Sequence, residues 1–458
     1  MRHVVVMTLT GALGLMALFL VDLIDLFFLS LLNQTEVTAA IGYAGTIVFA
    51  NLSITLGVGI AAAALVAQNL GAGKPERASQ FATSTLLFAL LISGVLTVAI
   101  ALGSGGLLTL LGAQGEAKHL AQLFIWTMTP GYILISGAIT CSFILRGLGD
   151  PRRAMYITLS TAVVTALADP LFIFGFGWGI QGAAAATVLG YTVSFIVGLH
   201  ALTKSQNFLN PLRLDGLRRD LPAIWVIALP AVLTQLATPF ANAYVTRAVA
   251  PFGDEAVAAA AIVGRLIPVA FGIIFALSGS VGPIIGQNYG AQRFDRVSQT
   301  LRDSLKFTLV YVLGAWALLA LAHNGIATLF DADETARELI AFFCLFAAGS
   351  FLFNGALFVA NASFNNLGYA TYATMMNWGR STLGVIPFVW VGSTYYGAKG
   401  VLAGWGLGAV AFGIAAMALA FRTTRAIEER GAAADAEPLP APPAAQSPFT
   451  SGKGSTIG

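Results

Sequence analysis

The chain has 458 residues, of which 57% are apolar and only 10% charged, and its mean hydropathy is +0.80. A soluble domain carries roughly a quarter charged residues, so this composition excludes an ordinary water-soluble globule. A net charge of +3 gives no footing for a nucleic-acid partner, and four His and two Cys leave little for metal or disulfide chemistry.

Twelve apolar runs follow one another, each of about 20 residues or more and so long enough to cross a bilayer as a helix. They cover 4–32, 41–67, 81–112, 120–145, 154–176 and 180–203, then 221–250, 256–286, 307–330, 339–364, 370–396 and 400–421. The first run follows Arg2, carries Asp22 and Asp25 and lacks an A-x-A cleavage site, so it reads as a retained span rather than a signal peptide. Cys141 and Cys344 sit inside apolar runs without metal-ligand spacing and read as core thiols. The longest hydrophilic connection, Lys204 to Asp220, divides six spans from six. The expected organisation is therefore a six-helix lobe over 1–203, a linker over 204–220, a second six-helix lobe over 221–425, and a disordered Ala/Pro/Ser-rich tail over 426–458.

The halves are copies of one unit. Gln68-Asn-Leu-Gly-Ala72 returns as Gln287-Asn-Tyr-Gly-Ala291, 219 residues later. Arg146-Gly-Leu-Gly149 and Asn365-Asn-Leu-Gly368 keep that offset, as do Glu36…Gly45 and Glu255…Gly264. An even number of spans per copy makes the repeats parallel, and transporters built this way bind their cargo between the copies. Basic residues set the expected orientation. Eighteen of the 24 Lys and Arg fall on the side of the N-terminus, against Lys118, Arg337 and Lys399 on the other and Arg247, Arg265 and Arg380 within spans. Both termini are expected in the cytoplasm.

Three carboxylates lie inside spans, all in the first half. Asp22 and Asp25 are one helical turn apart and Asp169 precedes Pro170. An ionised carboxylate at membrane depth costs about 2.5–3.5 kcal/mol on insertion scales, so such residues face a polar interior and commonly carry a proton or ion. Pro170 supplies no N–H and disturbs the preceding helical turn, leaving a carbonyl free near Asp169. Two acids a turn apart disfavour double ionisation, so Asp22 and Asp25 are expected to share one proton. Arg265 and Arg380 are the deep cations of the second half and are expected either to line the cavity or to pair with these acids. Gly147-Leu-Gly-Asp150 has the G-x-G-D string of intramembrane proteases, but Pro151-Arg152-Arg153 follows at the membrane edge and the second copy has Tyr369 in place of the Asp. Gly71-Ala-Gly-Lys74 lacks phosphate-loop spacing, so transport is expected to run on an ion gradient.

The paired Gln-Asn-x-Gly-Ala segments, Arg146-Gly-Leu-Gly-Asp-Pro151, Asp169-Pro-Leu-Phe-Ile-Phe174, Gly179-Ile-Gln-Gly-Ala-Ala-Ala-Ala-Thr187 and Val21-Asp22 resemble the multidrug and toxic compound extrusion family. The resemblance covers nearly the whole chain to about Thr424. It implies an all-α integral membrane protein of twelve helices in two lobes, with alternating access to a V-shaped cavity driven by H⁺ or Na⁺. It also implies a first-lobe cation site of Asp22, Asp169 and Thr187, with Thr165 where the family has Asn and Asp25 as an addition. Gln235 and Asn354 stand where a Na⁺-coupled branch carries second-lobe acids, so these two and Arg265 and Arg380 are the expected cavity residues.

The expectation is thus a multi-pass protein of the bacterial inner membrane, working as a monomer without a cofactor or a resident metal. It would export drug-sized organic molecules in exchange for H⁺, with Na⁺ at Asp22 and Asp169 as the alternative. A flippase for lipid-linked sugars is the competing function. Replacing the Asn carbonyl by Thr165 removes an oxygen that Na⁺ would want, which favours H⁺.

Overall fold

The computed structural model describes residues 2–30, 35–205, 207–211, 214–330 and 332–436, and these residues are helical almost throughout. Their helices are apolar on nearly every face, as expected where each backbone polar group must be satisfied within its own segment. The first lobe holds α1 (Arg2–Ser30), α2 (Thr35–Gly71), α3 (Pro75–Leu110), α4 (Gly115–Gly147), α5 (Pro151–Pro170) and α6 (Gly179–His200). The second holds α7 (Leu214–Val249), α8 (Asp254–Gly290), α9 (Phe294–Leu329), α10 (Glu334–Leu345), α11 (Phe351–Asn366), α12 (Ala370–Gly379) and α13 (Ile386–Ala436). Among the described residues, eleven segments are long and apolar enough to cross a membrane. The last of them, 60 residues from Ala370 to Glu429, folds back on itself at Gly397 (φ 60°) and so makes two crossings. Twelve crossings result among the described residues, with α10 and α11 forming one of them.

The 219-residue offset governs the backbone. It relates the ends of α2 and α8 (Gly71, Gly290), both ends of α3 and α9, the starts of α4 and α10, the ends of α4 and α11, and the starts of α5 and α12. Turn conformations follow suit: Gly149 and Gly368 take φ of 83° and 85°, and Gly73 and Gln292 take 69° and 57°. Glutamine is rare in this left-handed region, so the copied turn overrides a local preference.

Glycine sets how closely helices approach. In the final hairpin a Cβ on Gly400, Gly404 or Gly408 would strike the main chain of Gly392, Phe388 or Gly384. The lobes meet along α1 against α8, where Gly11 lies on Ser280 and Gly272 on Phe19, and along α2 against α7, where Gly57 lies on Val232. Their tightest contact is at the end bearing Lys74 and Arg293: a Cβ on Gly71 would collide with the Gln287 carbonyl, and one on Gly290 with the Gln68 carbonyl.

Two boundaries differ from the sequence reading, while residue 32, where that reading ended the first span, lies outside the described residues. The linker is shorter than 204–220, because a π turn carries α6 to Ser205 and α7 begins at Leu214. Helix α13 runs on to Ala436, so the segment after 425 starts helical; the rest of the tail lies outside the described residues.

Candidate functional site

The first-lobe site is built by register. Helices α1 and α5 run parallel, and Gly14 lies so tightly on Thr158 that any side chain there would collide with the threonine hydroxyl. Eleven residues, three turns, further along each helix come Asp25 and Asp169, which therefore share the same interface. Their carboxyls lie side by side within hydrogen-bonding reach. Asp169 is fully buried, and no donor among the described residues reaches either of its oxygens or Oδ1 of Asp25. Beyond Asp169 the helix does not continue as α: Leu171–Gly175 form a wider π turn behind Pro170. Such turns often mark functional sites.

Polar side chains continue along α5 at four-residue spacing. Thr165 is buried with an unpartnered hydroxyl and packs on Gly190 of α6. One turn below, the Thr161 hydroxyl pairs with that of Ser194, which also donates to the Ile157 carbonyl at 3.0 Å. Thr187 donates its hydroxyl to the Ala183 carbonyl at 3.0 Å, leaving only its lone pairs for another partner. Asp22 belongs to α1, but its side chain lies outside the described residues. The acid seen opposite Asp169 is Asp25, which the sequence reading treated as an addition.

The second lobe carries a buried cation at the start of a π turn. Arg380 is 5% exposed and opens a π turn, Arg380–Gly384. Its Nη2 reaches the Thr238 hydroxyl of α7 at 3.3 Å, and its Nε is buried without a partner. Asn354 is buried inside the lobe, Gln235 is half-buried on α7 and Arg265 is exposed on α8. Among the described residues no hydrogen bond joins any two of these four, and no ion pair links Asp25 or Asp169 to Arg247, Arg265 or Arg380. Of the acid–arginine pairing weighed from sequence, the Asp25 and Asp169 part is thus not seen among the described residues, and the Asp22 part lies outside them.

Sequence reasoning passed over several polar groups. Asn377 donates to Asn361 Oδ1 at 2.9 Å inside the second lobe; both are Asn within apolar runs, which was the available signal. Asp220, read as the linker's last residue, is fully buried between the lobes. It pairs with Arg77 at 2.7 Å and accepts from Ser84 Oγ at 2.7 Å. The G-x-G-D acid, Asp150, caps α5 by accepting the Arg153 N–H at 3.1 Å and pairs with the Arg153 side chain.

The sequence profile described as MatE matches residues 12–171 and 230–391. A FAD transporter of Shewanella oneidensis is 30% identical over 422 residues, covering 91% of this chain and 93% of that protein. The multidrug export protein MepA of Staphylococcus aureus is 23% identical over 84% of this chain and 85% of its own. Among solved structures, the Vibrio cholerae MATE transporter VcmN in its bent form superimposes with a TM-score of 0.88 at 24% identity, over 93% of this chain and 98% of that one. A multidrug resistance MATE transporter in an outward-facing conformation does so with 0.87 at 22% identity, over 93% and 96%.

Proposed function

This chain belongs to the MatE family of multi-pass membrane transporters, and on that premise we propose that it is an H⁺-coupled exporter of drug-sized organic molecules. It is a transporter, not an enzyme. The observation that carries the reading is the Asp25–Asp169 pair: two neighbouring carboxyls in a helical interface at membrane depth, with no donor to Asp169 among the described residues. A single proton shared between them removes the repulsion of two like charges in a low-dielectric setting. Its arrival or departure changes the energy of the α1–α5 contact, and α1 also forms part of the lobe boundary through Gly11 and Phe19. Protonation in the first lobe thereby biases the angle between the lobes, which is alternating access. Asp22, Thr165 and Thr187 belong to the same proposed cation path, with Na⁺ as the rival occupant.

The basic end, with Lys74, Arg77, Arg152 and Arg293, faces the cytoplasm of a bacterial inner membrane in this reading, and the protein acts as a monomer. The Gly71–Gly290 crossing then closes the cytoplasmic side.

The cargo has a second reading. The FAD transporter that is 30% identical over 91% of the chain favours a flavin dinucleotide, or an organic anion like it, over a purely cationic drug range. Export measured in everted vesicles, with pH and Na⁺ gradients imposed separately, tests the coupling. Efflux that survives removal of Na⁺ and collapses with the pH gradient is expected; strict dependence on Na⁺ at constant pH gradient would reverse the assignment.

A further inference from the structure

We infer that the second-lobe wall of the interlobe cleft is a seat for an anionic group, a phosphate or carboxylate of the cargo, with Arg380 as the buried cation and Arg265 as a second positive point. The inference rests on the transporter reading and deepens it by naming the residues that would take the cargo's negative charge.

Helix α7 has two kinds of exposed surface. Exposed Val226, Leu229, Leu233 and Phe240 form one stripe, which ends at exposed Arg247 near the helix terminus. Thr238, Asn242 and Thr246, also exposed, form another. At 3.6 residues per turn the two stripes lie on opposite sides of the helix. An apolar exposed stripe suits lipid, and a polar one within a membrane span suits a water-filled cleft. Arg380 reaches α7 at Thr238, the inner end of the polar stripe, so its guanidinium ends at the cleft while its stem is buried.

Helix α8 gives the second positive point. Arg265, Val269, Gly272, Ala276 and Ser280 share one face. The inner part of that face touches the first lobe: Gly272 lies on Phe19 and Met16, and Ser280 donates to the Met7 carbonyl at 3.1 Å. The outer part, Val269 and Arg265, is exposed. By that level α1 has turned into its own lobe, where Phe28 packs on Phe174 at 6.0 Å. Arg265 is thus exposed beyond the part of α8 that meets α1.

A buried guanidinium with no carboxylate costs free energy unless an anion completes it. Among the described residues Arg380 has one neutral hydroxyl partner and an idle Nε–H. A guanidinium fork matches phosphate or carboxylate oxygens in pairs, and a low local dielectric strengthens the contact. The acid pair that would repel such a group sits in the other lobe.

The test is equilibrium binding of riboflavin 5′-phosphate and of riboflavin to the full-length protein in detergent, two probes that differ only in the phosphate. The phosphate form is expected to bind about tenfold more tightly or better, the scale of one charge-assisted hydrogen bond. Arg380→Gln should reduce that preference to under about threefold without weakening riboflavin itself, and Arg265→Gln should reduce it in part. The wild-type comparison and the exposed Arg265 variant keep the test decisive if Arg380→Gln fails to fold. Equal binding of the two probes, binding of neither, or a preference untouched in both variants would overturn the inference. Binding needs no gradient, so failure of H⁺-driven export and failure of the anion seat are read separately.

Discussion

Gln68 and Gln287, one in each repeat, exchange equivalent hydrogen bonds across the lobe boundary. Gln68 Nε2 donates to the Asn366 carbonyl at 2.8 Å, and Gln287 Nε2 donates to the Gly147 carbonyl at 2.9 Å. Each acceptor is the last residue of the helix crossing it, α11 or α4, where a carbonyl lacks its intrahelical partner. The closed end of the molecule is thus held by two matched capping interactions beside the Gly71 and Gly290 contacts.

Loosening this end should shift the conformational balance. Each amide–carbonyl bond contributes about 1 kcal/mol, so Gln68→Ala with Gln287→Ala should favour the opened end by about tenfold or more. A Cys at Ala72 would report it through a rise in its labelling rate. An unchanged rate in the double variant would show that these bonds do not hold the end shut.

The acid pair makes a prediction about coupling. Asp25→Asn and Asp169→Asn keep side-chain volume and helix while removing the titrating charge. Each should insert normally and lose gradient-driven efflux. Normal export by either variant would remove that residue from the cation site.

Topology is open to a direct check. Lys74 and Arg293 occupy equivalent turns of parallel repeats, so single Cys residues at the two positions should both react only with reagent supplied from the cytoplasm. Reaction of one from the outside would overturn the parallel arrangement.

Asp220 gives a stability prediction. Removing one partner of a buried ion pair costs about 3–5 kcal/mol, and because Arg77 is partly exposed the effect of Asp220→Ala should fall at the low end. Lys399→Ala, which breaks an exposed pair with Glu338, should cost under about 1 kcal/mol. Melting of the purified protein in detergent compares the two; equal midpoints would deny Asp220 its interlobe role.

Much of the fold was legible because glycine, proline and the repeat are written in the residues themselves. The shared offset placed the turns at Gly73 and Gln292 and at Gly149 and Gly368, and apolar length placed the crossings. The acid opposite Asp169 was not legible in the same way. Asp22 and Asp25 stand a turn apart on a helix apolar all round, so nothing in their spacing says that Asp25 meets Asp169. That meeting depends on the Gly14–Thr158 contact, a close approach between residues 144 apart whose meaning appears only once the helices are packed. Asp220 was hidden differently: beside Arg218 and Arg219 it looks like a solvated linker residue, and only the fold brings α3 against the start of α7.

The matched contacts of Gln68 and Gln287 have the form of an isologous interface, in which each surface meets its own counterpart about a two-fold axis. Two separate, identical half-length chains could form that interface as a dimer, but both would then carry the same charges. Joining the halves into one polypeptide keeps the symmetric joint and frees each side to change alone. That freedom lets the first lobe carry the Asp25–Asp169 carboxyls and the second lobe the buried Arg380, a difference closed to a homodimer.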